Sequence, residues 1–257
     1  MQLTHAIVRQ PPATFSRGLT SADRGAPDIA LALAQHARYC EALEQCGLHL
    51  TRLPAAAEFP DSPFVEDAAV LTPQCAILTR PGAPSRAGEV ALIEPALRER
   101  FATVHRIEAP GTIEGGDVCQ AGEHFFIGIS ERTNEHGARQ LAVLLARHGY
   151  TSALIDIRTV PGILHLKSGI CSLGDNRLTL IDTMAGVADF GGFELVRLHP
   201  REHYAANCLR INDRVLVAAG NPRFESTLGE LGYAVVALDT SEFRKMDGAL
   251  TCLSLRF

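Results

Sequence analysis

Four short stretches concentrate the side chains that can do chemistry: Asp61-Ser62-Pro63-Phe64-Val65-Glu66-Asp67, Ile113-Glu114-Gly115-Gly116-Asp117, His165-Leu166-Lys167-Ser168 and the terminal Thr251-Cys252-Leu253. Together they offer carboxylates, an imidazole and a thiol. Carboxylates hold a cation, a thiolate attacks an electrophilic carbon, and an imidazole protonates a leaving amine and then activates water. A bound cation and a nearby histidine both increase the thiolate fraction of a cysteine. The two glycines after Glu114 are expected to let backbone approach a ligand closely.

Taken one at a time these residues are ambiguous. A cysteine in an apolar strand, as Cys252 reads, is more often a small core residue. His165 lies between Leu164 and Leu166 and could be a satisfied core histidine. Glu66-Asp67 could be a solvated turn. Asp, Glu and His together could hold a metal, but no HxH, HExxH or paired-Cys spacing supports one, and the expectation is neither metal nor cofactor. What joins the four stretches is their recurrence at one place in a repeat.

That repeat is an apolar strand, a short turn and a second apolar strand. The copies are Ala68–Leu71 with Cys75–Thr79, Val118–Gln120 with His124–Ile129, Gly169–Leu173 with Arg177–Ile181, and Cys208–Ile211 with Arg214–Ala218. A fifth copy is split: Thr4–Arg9 has no strand before it and Thr251–Phe257 has none after it. Pairing them closes a ring and removes both edges. Helices are predicted over Asp28–Cys46, Glu89–Phe101 and Asn134–His148, and from Asn221-Pro222, read as N-cap and first helical residue, to Leu231. The chemical stretches precede or begin the hairpins, so a ring about one axis brings them into one pocket. The loop Ser16–Pro27, polar with two glycines, reads as a lid or as an ordinary surface loop. No linker divides residues 1–257, so the expectation is one α/β domain, a ring of αβ units.

With 46% apolar residues the chain can bury a substantial core, and a net charge of −5 without a basic cluster argues against nucleic acid. Neither a signal-peptide core in Met1–Phe15 nor a membrane-length apolar run is seen. The seven cysteines, Cys40, Cys46, Cys75, Cys119, Cys171, Cys208 and Cys252, are odd in number and include no CxxC. This predicts a reducing, cytoplasmic setting.

The stretches PDSPFVEDAAV, IEGGDV, SERTN, HLKS and DGALTCLSLRF, in this order, resemble those of the dimethylarginine dimethylaminohydrolases. These belong to the guanidino-group-modifying superfamily, and the resemblance spans essentially the whole chain. It implies a five-bladed α/β propeller, the pentein fold, with pseudo-fivefold repeats and the N-terminal strand closing the ring with the C-terminal one. It implies hydrolysis of Nω-methylated arginine to citrulline, with Cys252 as nucleophile, His165 as proton donor and Glu114 orienting the imidazole. Asp61, Glu66 and Asp67 would surround the guanidinium. Arg86 and Arg132 would grip the α-carboxylate, and the main-chain carbonyls of Leu19 and Met246 would receive the α-ammonium. The partner is then a small arginine derivative, with a homodimer allowed. Three alternatives stay open: an arginine deiminase, a ligand-binding pseudoenzyme on the same scaffold, and a ribosome anti-association factor of the same topology.

Overall fold

Alternating apolar strands joined by tight polar turns form hairpins, and each hairpin here gains a third strand. The computed structural model describes residues 2–257. The chain begins with β1 (His5–Arg9), α1 (Ile29–Gln45) and β2 (His49–Leu53). The second unit is β3 (Ala69–Leu71), β4 (Ala76–Leu78), α2 (Glu89–Arg98) and β5 (Val104–Arg106). The third is β6 (Val118–Ala121), β7 (His124–Ile129), α3 (Glu135–Ala146) and β8 (Thr151–Asp156). The fourth is β9 (Ile170–Gly174), β10 (Arg177–Leu180) and β11 (Glu194–Arg197). The fifth is β12 (Leu209–Ile211), β13 (Arg214–Ala218), α4 (Pro222–Glu230) and β14 (Ala234–Leu238), followed by α5 (Ser241–Arg244) and β15 (Leu255–Arg256).

These strands make five sheets of three, each an antiparallel pair extended by a parallel strand. The split blade closes as expected: β15 pairs antiparallel with β1, with Ala6 opposite Arg256 and Ile7 opposite Leu255, and β2 runs parallel to β1. The architecture is the five-bladed α/β propeller. A right-handed crossover is the usual way to reach a parallel neighbour, and four of the five crossovers carry an α-helix whose apolar face covers the blade. The fourth crossover has only the 3-10 turn Asp182–Met184 before a loop with positive-φ glycines at 186 and 192.

Helix ends follow local chemistry. Asp28 caps α1 by accepting from the N–H of Ala30 and Leu31, and Asn134 caps α3 by accepting from Gly137. Asn221 does not cap α4 as expected. Its amide donates to the Ala218 carbonyl, and the carboxylate of Glu202 takes the free N–H groups of Arg223 and Phe224.

The first strands face a central channel of about 220 Å³ lined by Val70, Cys119, Cys171, Leu209 and Leu255. Each is preceded by a 3-10 turn: Val65–Ala68, Gly115–Asp117, Leu166–Ser168, Pro200–Ala206 and Thr251–Leu253. Adjacent turns touch one another at one end of the channel. Cys252 therefore belongs to a turn ahead of its strand, not to the strand itself, which begins only at Leu255. Among the described residues no helix is long and apolar enough to cross a membrane.

Candidate active site

The ring of turns positions the chemistry. A cavity of about 30 Å³ is lined by Asp61, Asp67, Glu114, Arg132, His165 and Cys252, with Leu19, Arg86 and Met246 also on its wall. Nine of the ten residues singled out in the sequence thus converge here. The tenth, Glu66, does not line it. His165 and Cys252 also open onto a wider vestibule of about 660 Å³ that includes Arg24, Arg158, Tyr204 and Arg244.

His165 precedes its turn in an extended conformation, and its Nε2 lies 2.7 Å from Glu114 Oε2. Burial pushes the imidazole pKa down. The carboxylates of Asp67, Asp117 and Glu114 outweigh that and hold it at about 9, so the ring is a cation at neutral pH. The two glycines after Glu114 allow close contacts within the protein, and Gly116 also lines the vestibule. A Cβ on Gly115 would overlap the Glu66 carbonyl, and one on Gly116 would lie 2.8 Å from the His165 ring.

Asp67 accepts from Gly116 N–H at 2.8 Å and from Arg86 Nη1 at 2.5 Å. Burial opposes its ionisation, but the Arg86 guanidinium and His165 hold the carboxyl well below the usual range. Asp67, Glu114 and His165 bring three ligand-type atoms within 4.8 Å of one another. All four carboxylate oxygens, however, already face a nitrogen: Gly116 and Arg86 for Asp67, Ala83 and His165 for Glu114. Asp61 differs. Both its oxygens accept only from the Leu19 N–H at 3.1 Å, and burial raises its pKa. It is the carboxylate that an incoming cation would compensate most.

Cys252 is half-buried, whereas the other six cysteines are fully buried. Burial first, and then the charges of Glu66 and Asp67, push its thiol up to about 12, with Lys167 opposing. Its neighbour Thr251 is fixed on every side. The Thr251 hydroxyl donates to Glu66 Oε2 at 2.7 Å, its N–H donates to Asn207 at 3.0 Å, and its carbonyl accepts from Arg256 at 2.9 Å. Glu66 completes this cluster with Lys167 Nζ at 2.5 Å and Arg256 Nη2 at 3.0 Å.

Arg86 and Arg132 differ in freedom. Arg86 is buried and its donors go to Asp67, Glu89 and the carbonyls of Asp61 and Phe64. The nearest acid to Arg132 is Glu114, at 3.8 Å, and its side chain is 22% exposed. The loop bearing Leu19 lies over the cavity, latched by Asp247, which accepts from Ser21 N–H at 2.6 Å and from the Ser21 hydroxyl at 3.0 Å. A Cβ on Gly18 would overlap Asp61.

Three contributors were missed in the sequence. Asp117 is fully buried, accepts from Ser130, Thr133 and the Leu166 N–H, and flanks His165. Comparing the turns blade by blade would have found it, since Asp67 and Asp117 both sit in the turn ahead of a first strand. Asp247 and Glu89 carry no such signal.

A family model described as arginine deiminase matches residues 58–190. A curated N(G),N(G)-dimethylarginine dimethylaminohydrolase from Pseudomonas aeruginosa is 45% identical, over 98% of this chain and 99% of that one. A second from Streptomyces coelicolor is 36% identical over 98% and 96%. Among solved structures, a cysteine-to-serine mutant of the Pseudomonas aeruginosa enzyme complexed with citrulline superposes with a TM-score of 0.97, at 43% identity and with both chains fully covered. The N-terminal domain of the arginine dihydrolase ArgZ, at 17% identity and a TM-score of 0.86, shares the fold. With near-complete coverage at this identity, the chain belongs to the dimethylarginine dimethylaminohydrolase family.

Proposed function

We propose that this chain, acting as one catalytic domain, hydrolyses Nω-methylated arginine to citrulline and the corresponding methylamine. The observation that carries the reading is the convergence on one cavity of the sole half-exposed thiol, Cys252, with the paired His165 and Glu114. Relatives of this name at 45% and 36% identity support it. So does an adduct of a related structure with S-methyl-L-thiocitrulline.

The resting electrostatics set the order of steps. With the thiol near 12 and the imidazole near 9, the free protein holds a neutral sulfur and a protonated histidine. A guanidinium seated by Asp61 and Asp67 brings a cation against the sulfur and favours its thiolate, the thiol proton leaving to solvent because His165 already carries its own. The thiolate attacks the guanidinium carbon. The His165 imidazolium gives its proton to the methylated nitrogen, the amine leaves, and a thiouronium remains on Cys252. Now neutral, His165 takes a proton from water as the water attacks. Collapse returns the sulfur and releases citrulline. Arg132 faces the α-carboxylate. Leu19 and Met246 offer backbone to the α-ammonium. The cavity and the vestibule onto which His165 and Cys252 open together give the substrate its room, with the Leu19 loop, held by the Leu19–Asp61 and Ser21–Asp247 contacts, along one wall.

Release of ammonia from arginine itself is the second reading, favoured by the arginine deiminase model over residues 58–190. Lys167 separates the two. It stands two residues after His165, and its ammonium is committed to Glu66. No carboxylate occupies that position to bind N–H groups on the leaving nitrogen. A methylated nitrogen has fewer N–H groups to satisfy, and each buried methyl gains on the order of 0.8 kcal/mol. The test is kcat/KM for asymmetric dimethyl-, monomethyl- and unmethylated arginine. Preference for the methylated substrates is expected, and equal turnover of arginine would favour the deiminase reading.

A further inference from the structure

We propose that Cys75, His105 and His148 form a binding site for a zinc-class ion on the flank of the propeller. One sulfur and two imidazole nitrogens from these residues lie within 4.8 Å of one another, between the second and third blades. None of the three lines the cavity around Cys252.

Each ligand is held by different local structure. Cys75 closes the tight turn ahead of β4, where its N–H donates to the Thr72 hydroxyl at 3.1 Å and its carbonyl accepts from the Thr72 N–H at 2.9 Å. His105 sits in the middle of β5, in register with Ile77 of β4. His148 lies in the turn ending α3, where its N–H donates to the Leu145 carbonyl. Turn, strand and helix end are thus locked before any ion arrives.

The donor geometry suits a small tetrahedral ion. His105 Nε2 and His148 Nε2 are 3.0 Å apart, so the two rings point at one another. One ring donates to the other across that gap, the direction being set by their tautomers. A zinc ion sits about 2.0–2.1 Å from nitrogen and about 2.3 Å from sulfur. Tetrahedral angles then separate the ligand atoms by roughly 3.3–3.7 Å. The pair of nitrogens need part only slightly, and the sulfur need approach by about an ångström at most. One thiolate with two imidazoles selects zinc, or its cobalt substitute, over magnesium or calcium, which require oxygen.

Thiolate and neutral imidazole are the ligating forms, so binding releases protons to solvent and tightens as pH rises. Both histidines are half-buried, which gives the ion a path in and leaves a fourth position for water. Tying blade two to the end of α3 would raise stability by mass action.

Cobalt(II) resolves this site from the cavity, because its thiolate charge-transfer band reports sulfur ligation. Folded Cys252→Ser protein, which removes the half-buried thiol of the active-site cavity as a competing ligand, is titrated with cobalt and then with competing zinc. One equivalent should give tetrahedral bands and the charge-transfer band, and zinc should displace it. Adding Cys75→Ser should remove the charge-transfer band. Adding His105→Gln and His148→Gln, at half-buried positions that tolerate substitution, should weaken binding on the order of 100-fold. No band in Cys252→Ser, or an undiminished band with both histidines replaced, would overturn the site.

Discussion

Glu66 and Asp67 are carboxylic acids adjacent in sequence and equally buried, yet they belong to different parts of the molecule. Asp67 faces the cavity beside His165, while Glu66 turns toward the axis and pairs with Lys167, Arg256 and Thr251. The same division recurs in neighbouring turns: His165 against Lys167, Cys252 against Thr251. A 3-10 turn has three residues per turn, so successive side chains point about a third of a circle apart. These three turns therefore each supply one residue to a reactive layer and another, one or two positions away, to an ionic staple beneath it. The staple fixes Thr251, and through it the turn that carries the thiol. Mutations in the two layers should separate activity from stability.

The largest expected effect lies in the reactive layer. His165→Asn should cut turnover by about 10²–10⁴-fold, the usual contribution of a positioned acid/base. Its amide can still face Glu114, but the imidazolium's charge pairing is lost, so the melting temperature should fall at neutral pH and converge with wild type above about pH 9. Mass spectrometry should find adduct persisting on Cys252 where slow attack still occurs. In wild type, turnover should fall as pH rises through about 9, where the imidazolium is lost. The same pair affects stability with a defined sign. Its folded pKa is raised, so its stabilisation is complete below about 6.5 and disappears as pH rises through about 9. A His165→Asn enzyme with the wild-type pH profile would remove the histidine from the mechanism.

The staple comes next. Glu66→Gln leaves Lys167 and Arg256 buried without a counter-charge, a loss of about 3–5 kcal/mol for such clusters. Denaturant unfolding should show it, while KM for the substrate stays near wild type. Because Glu66 also raises the Cys252 pKa, alkylation of the free thiol should shift to lower pH. A large rise in KM without loss of stability would instead return Glu66 to the guanidinium site that the family resemblance implies.

Much of this was legible in the sequence. The four hairpins and the N-terminal strand are local alternations bounded by turn residues, and they formed at nearly the expected residues, whereas the terminal strand expected over Thr251–Phe257 shortened to Leu255–Arg256. The third strand of each blade was not. His49–Leu53 and Ala234–Leu238 are half-buried edge strands with mixed burial, paired in parallel only after a crossover. The turn around Cys252 looked like strand because Leu253 and Leu255 alternate with polar residues, a period that a short 3-10 turn running into a strand also produces. Contacts between distant residues were illegible altogether. Nothing in the chain announces that Arg86 is spoken for by Asp67 and Glu89.

That last point sharpens the comparison, and the Arg132 variant it calls for gives the smallest expected effect. Sequence alone treats Arg86 and Arg132 as equivalent grips on a carboxylate. The partners found here divide them. Arg132→Ala should raise KM far more than it lowers kcat, by about 1.5–3 kcal/mol per charge-assisted hydrogen bond lost. Arg86→Ala should register first as instability, because it strands the buried Asp67 and Glu89. Equal KM effects from two equally stable variants would restore their equivalence.

The central claim is that the one half-exposed cysteine performs the chemistry. It is tested most directly by citrulline release from asymmetric dimethylarginine, measured on Cys252→Ser protein whose circular dichroism matches wild type. We expect no release above background. Release at a rate near wild type from that folded variant would contradict the account.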